Sequence, residues 1–153
     1  LARAEQIGAA RVFIEHMAPA SYAAAVEYGL DPTVVIAQSA HETGWGHFGG
    51  VLDATYFNVA GIKTREGGGN FDPEAHQRFD DWQHGAQAHA SHLRAYTSVP
   101  LEDHLEDLSP RSVWVWPKNH RFTRMRQLGG HYAPSPTYGE RVEAVAARLL
   151  QDQ

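Results

Sequence analysis

The stretch from Asp31 to Gly44 constrains this chain most, because it reads as a helix with both ends marked. Asp31 can accept from the first free backbone N–H groups, and Pro32 suits the first helical position, where an N–H would lack a partner anyway. Gly44 can take the left-handed conformation that closes a helix. Between them Val34, Val35, Ile36, Ala37 and Ala40 are apolar nearly all round the axis, so this helix belongs inside a core. Glu42 then falls in the last turn, beside Gly44-Trp45-Gly46. The negative end of the helix dipole disfavours an ionised carboxyl there. That raises its pKa and makes Glu42 a candidate proton donor.

The remaining elements surround that helix. Ile7, Ala10, Arg11, Ile14 and Met17, with Phe13 beside them, predict an amphipathic helix over about 4–17 that Pro19 breaks. Ser21 to Tyr28 reads as a short helix with Gly29 after it. Tyr56 to Lys63 predicts a turn and a strand, residues 66–70 a glycine-rich tip, and Glu74 to Phe79 the returning strand of a β-hairpin. From Asp81 to about Thr97, the spacing of Trp82, Ala86, His89, Ala90, Leu93 and Tyr96 predicts a helix, ended near Pro100. Residues 101–118 read as short pieces limited by Pro110 and Pro117. Asn119 is expected to cap a short helix stopping at Gly129-Gly130, and Ser135-Pro136 to start the last helix. With no repeat or linker, residues 1–153 read as one mainly α (α+β) domain: a helical body with a small β-hairpin lobe.

Several function classes are excluded or weakened. A formal charge of -5 argues against nucleic acid as a partner. No apolar run nears the roughly 18–20 residues that insert across a bilayer. Without cysteine there is no disulfide and no thiolate metal site. The start at Leu1 is compatible with a removed signal, leader or neighbouring domain. His41-Glu42 invites a zinc-protease reading, but the second histidine would have to stand at Trp45. His84, His89 and His92 lack a carboxylate at ligand spacing and read as helix histidines rather than a metal site. Lys118, Arg121, Arg124 and Arg126 read as a solvated basic face. Gly67-Gly68-Gly69 lacks the lysine and following helix of a phosphate loop. Glu42 alone could be a solvated helix end. Its apolar helix, the Trp45 wall and the flanking glycines favour catalysis instead.

Four segments in order also resemble one family. Ala37-Gln38-Ser39-Ala40-His41-Glu42-Thr43-Gly44-Trp45-Gly46 resembles the A-Q-x-x-x-E-[ST]-G-W-G motif of bacterial glucosaminidase domains, glycoside hydrolase family 73. Phe57-Asn58-Val59-Ala60-Gly61-Ile62-Lys63 is similar to its N-L-F-G-I-K segment, with Ala60 in place of a large aromatic. Gln77 to Asp81 sits where the family has F-R-x-Y-x-S. Tyr132 to Tyr138 resembles Y-A-T-D-P-x-Y, with Pro134-Ser135 in place of Thr-Asp. The resemblance spans about residues 11–150.

It implies a lysozyme-like α fold and hydrolysis of the β-1,4 bond after N-acetylglucosamine in the glycan strands of peptidoglycan. It implies no cofactor and no metal, and a monomer that is secreted or associated with the cell wall, encoded by a bacterium or a phage or part of a larger protein. Carried over by position, Glu42 is the general acid, with Trp45, Phe57, Asn58, Tyr132 and Tyr138 shaping the sugar site. The second carboxylate comes from the lobe, which offers Glu66, Asp72 and Glu74, and Glu66 fits best. An inverting enzyme needs a base about 6.5–9.5 Å from the acid and a retaining one a nucleophile at about 5–5.5 Å; a third route uses the sugar's own acetamido group. The alternatives are a glycan-binding module with weak or lost turnover, and a muramidase or lytic transglycosylase cutting the other bond.

Overall fold

A computed structural model describes residues 2–97, 101–115 and 122–151. The expectations that rest on Pro100, Trp116, Pro117, Lys118, Asn119 and Arg121 lie outside the described residues. Helices dominate: α1 (Ala2–Val12), a π-turn (Phe13–Met17), α2 (Ala18–Glu27), α3 (Pro32–Thr43), α4 (Trp82–Arg94), α5 (Ser112–Val115) and α6 (Tyr138–Gln151). Three 3-10 turns, Ala54–Tyr56, Pro73–Ala75 and Met125–Leu128, lie between them.

The central helix forms as its ends dictate. The Asp31 carboxylate accepts from Thr33 N–H at 2.9 Å, and Gly44 closes α3 at φ 57° and ψ 47°. Val35, Ala37, Gln38, Ser39 and Ala40 are fully buried. α3 packs between α2 and α6, and α4 packs on α2. One core joins Phe13, Met17, Tyr28, Ala40, Val59 and Ile62. A second joins Val35, Leu93, Tyr96, Met125, Tyr138 and Val142. α3 contributes to both, and removing a side chain as fully buried as Val35 or Val142 from water contributes about 1.5–3 kcal/mol.

Two expectations are corrected. Pro19 does not break the first helix: α1, the π-turn and α2 run on without interruption. The widened turn, in which Ala18 N–H reaches back to Phe13 C=O, moves the ladder to i→i−5 just before the proline, which has no N–H to give. The β-hairpin does not form either. Its two segments meet at one isolated antiparallel bridge, Lys63 with His76, flanked by Thr64 N–H to Ala75 O and Gln77 N–H to Ile62 O, both 2.9 Å. A longer ladder is blocked because Pro73 lacks an N–H and the 73–75 segment coils into a 3-10 turn capped by Asp72. Side-chain bonds hold the lobe instead. Asn58 Nδ2 donates to Ile62 O (2.8 Å) and Gln77 O (2.9 Å), and Asn58 Oδ1 accepts from Ile62 N–H (2.9 Å).

Smaller differences follow from caps. Asp81 caps α4 through His84 N–H at 2.8 Å, as its position predicts. The last helix starts at Tyr138, because Ser135-Pro136 form a turn whose Ser135 C=O accepts from Tyr138 N–H. The segment at 101–115 is tied to the body by Tyr28 Oη to Glu106 O (2.6 Å) and by Arg111 to Thr64 O (3.2 Å).

Candidate active site

The site forms where α3, α4 and α6 converge. Gln38 and Glu42 are four residues apart and share a face of α3. Tyr138, at the start of α6, stands between them: its hydroxyl donates to Glu42 Oε1 and accepts from Gln38 Nε2 at 2.8 Å. His89 of α4 meets Gln38 Oε1 through Nε2 at 2.8 Å. The Tyr132 ring stacks on Tyr138 at 5.4 Å and 12°, and Tyr96 and His92 close around Tyr132 at 5.2 and 5.4 Å. Glu42 thus lies against an aromatic floor with one oxygen occupied.

The electrostatics follow from burial. Desolvation pushes the Glu42 carboxyl above the usual carboxylate range, and the Tyr138 hydrogen bond offsets part of that. Burial, with Glu42 among the nearby charges, pushes the Tyr132 and Tyr138 hydroxyls up, so both stay neutral donors. Burial also lowers His89 to about 3 and His92 to about 4, the latter helped by Arg111. Among the described residues, no three His, Asp or Glu side chains converge as a metal-ligand set.

The expected site residues divide into two groups. Glu42, Tyr132 and Tyr138 come together. Trp45 does not join them: it sits edge-on to Phe13 at 5.3 Å and lines an apolar groove with Ile14, Tyr22 and Leu150. The low-dielectric wall beside Glu42 is therefore made of tyrosines. Phe57 packs edge-on to Trp82 at 5.2 Å. Asn58 lies inside the lobe rather than on the aromatic floor. It is 0% exposed, and its amide is committed to the lobe backbone.

Of the three lobe carboxylates, Asp72 is occupied as a cap, accepting from Glu74 N–H at 3.0 Å. Glu66 is exposed in the turn closed by Gly67 N–H to Thr64 O (3.1 Å). Arg111 holds that turn. Its guanidinium donates to Thr64 O and lies 2.8 Å from where a Cβ on Gly67 would stand. On its other side Ser109 Oγ meets His92 Nδ1 at 3.0 Å, and Arg111 N–H meets Ser109 Oγ at 3.3 Å. A chain of contacts therefore runs from the Glu66 turn to the aromatic floor.

Sequence reasoning missed Gln38, Tyr96 and Arg111 as parts of this assembly, and read His89 and His92 as helix histidines with no part in the site. The i, i+4 spacing of Gln38 and Glu42 and the i, i+3 spacing of His89 and His92 are local signals. That the two faces point at one tyrosine is a tertiary fact.

The glucosaminidase family model, described as mannosyl-glycoprotein endo-β-N-acetylglucosaminidase, matches residues 18–151. The chain belongs to the glucosaminidase family. It is thereby a glycoside hydrolase, and the matched span contains every residue of the site just described. The catalytic domain of the autolysin Auto from Listeria monocytogenes has a similar fold, with a TM-score of 0.58 at 22% identity over 95% of this chain and 88% of that one. No curated protein matches the sequence.

Proposed function

We propose that this glucosaminidase is a peptidoglycan hydrolase, an endo-β-N-acetylglucosaminidase in which Glu42 is the general acid. The observation that carries the reading is the state of Glu42: a desolvated carboxyl at the end of the central helix, with Oε1 engaged by Tyr138. Burial shifts the balance toward the protonated form, and the engaged Oε1 leaves Oε2 to carry the proton to the departing glycosidic oxygen. Tyr132, whose face belongs to the same floor, lines the sugar site. Glu66 acts as the second carboxylate, on a turn that Arg111 couples to that floor.

The substrate follows from the family and from the fold shared with an autolysin catalytic domain. Action at the cell wall, outside the membrane, follows from the substrate. No helix among the described residues is long and apolar enough to cross a membrane.

The test is digestion of purified cell walls followed by borohydride reduction of the new ends. Reduced N-acetylglucosamine is expected. Reduced N-acetylmuramic acid would mean a muramidase, and anhydro ends a lytic transglycosylase. Glu42→Gln is expected to lower kcat by about 10²–10⁴-fold. Glu66→Gln with full activity would move the second step to the sugar's acetamido group.

A further inference from the structure

Four polar side chains run in single file through the interior, His89–Gln38–Tyr138–Glu42. His89 and Gln38 are 0% exposed and Tyr138 is 4% exposed, so water does not compete for their hydrogen bonds. Such a file has two self-consistent directions. In the first, His89 Nε2–H donates to Gln38 Oε1, the Gln38 amide N–H to Tyr138 Oη, and the Tyr138 O–H to Glu42 Oε1. In the second the Gln38 amide is turned over and every donor reverses. Protonated Glu42 then gives its proton to Tyr138, Tyr138 donates to the Gln38 carbonyl, and the His89 proton sits on Nδ1.

His89 Nδ1 decides between them. It is buried and has no partner among the described residues. A buried N–H without an acceptor costs more than a bare ring nitrogen, so the proton belongs on Nε2. The ring cannot escape the choice by holding two protons, because burial keeps it neutral. The file therefore points toward Glu42.

We propose that His89, acting through Gln38, is a positioning residue that fixes the direction of the Tyr138–Glu42 hydrogen bond and confines the transferable proton to Glu42 Oε2. The inference rests on Glu42 as the general acid. His89 touches no substrate, and no bond is made or broken within the file. The titratable groups facing Glu42 are Tyr138 of α6 and Tyr132 of the preceding turn. Those facing His89 are His92 and, behind it, Arg111. His41, edge-on to Tyr138, feels Arg141 of α6.

The first measurement uses the unaltered protein. Imidazole ¹⁵N NMR is expected to find His89 as the neutral Nε2–H tautomer. The Nδ1–H tautomer would overturn the proposal, because it belongs to the reversed file. The second measurement compares His89→Leu with His89→Gln, whose amide can still donate to Gln38. In His89→Leu the Gln38 amide is free to turn over and take the Tyr138 hydrogen. Glu42 then titrates about one pH unit higher, read by carboxyl ¹³C NMR and by the alkaline limb of kcat. His89→Gln restores the original profile. A folded His89→Leu protein with both readings at their original positions would overturn the proposal. The NMR readings need no turnover. A failure of the functional reading, seen as full activity in Glu42→Gln, is therefore distinguishable from a failure of this one.

Discussion

Glu42 is held between two opposing influences, and their balance predicts its contribution to stability. Desolvation raises its pKa in the folded state, and Tyr138 lowers it in part. A folded-state pKa above the unfolded one means that the native state keeps a proton the unfolded state has lost. Stability from this group is therefore full below the ordinary carboxyl pKa and is lost as pH rises through the raised value. Glu42→Gln removes that loss while its amide oxygen still accepts from Tyr138. The variant is expected to melt higher than the parent at pH 7 and to lose the advantage near pH 4, read by thermal melts at both. Asn58 is the other residue whose role is set by burial. Asn58→Ala leaves Ile62 N–H and Gln77 C=O without the partner Asn58 supplies, while Ile62 C=O keeps Gln77 N–H. It is expected to destabilise by about 2–5 kcal/mol in denaturant titration. The identity of Asn58 was plain in the sequence. Its role was not, because a buried asparagine and a cleft asparagine have the same local pattern.

Among the elements, α3 was legible from its own residues: an aspartate cap, a proline at the first position, an apolar run and a glycine stop. Each of these acts within one or two turns, so no distant partner was needed. The first helix and the lobe were not legible in the same way. Pro19 carries a strong local penalty, and the π-turn absorbs it in a continuous helix whose Phe13 and Met17 are buried. In the lobe, β-branched and aromatic residues favoured strands, but the Asn58 bonds and the Asp72-capped turn hold the backbone otherwise. Contact between elements also reverses a common rule. An alanine in place of a helix glycine usually stabilises by about 1 kcal/mol. A Cβ on Gly85 of α4 would stand 1.8 Å from Phe57 O. Gly85→Ala is therefore expected to lower stability by about 1–3 kcal/mol or more, pushing α4 off the 57–62 loop, as thermal melts would read.

For the whole molecule, two desolvated histidines of α4, the fully buried His89 and the half-buried His92, set the response to acid. His89 and His92 have folded-state values near 3 and 4, below the ordinary histidine range. The unfolded chain takes up protons there that the native state refuses, so stability is full above about pH 6.5 and falls as pH drops below it. The loss is on the order of 1.4 kcal/mol per pH unit for each such proton. It exceeds the opposite trend from Glu42 because two groups are involved. Melting temperature is expected to fall steadily from pH 7 to pH 5. His89→Gln, which cannot take up a proton, is expected to flatten part of that slope.

By itself the sequence determined the central helix with its caps, the mainly helical class and the resemblance to the glucosaminidases, and it placed Glu42 at the end of that helix. All of these rest on residues within a few turns of one another or on motifs read in order. Only the tertiary structure decided what surrounds Glu42. It set tyrosines rather than Trp45 beside the carboxyl, made Asn58 a lobe fastener, and joined His89 to Gln38 across 51 positions and Gln38 to Tyr138 across 100. The physical reason is range. Helix signals act over one or two turns, whereas desolvation and the direction of a buried hydrogen-bond file depend on which elements meet.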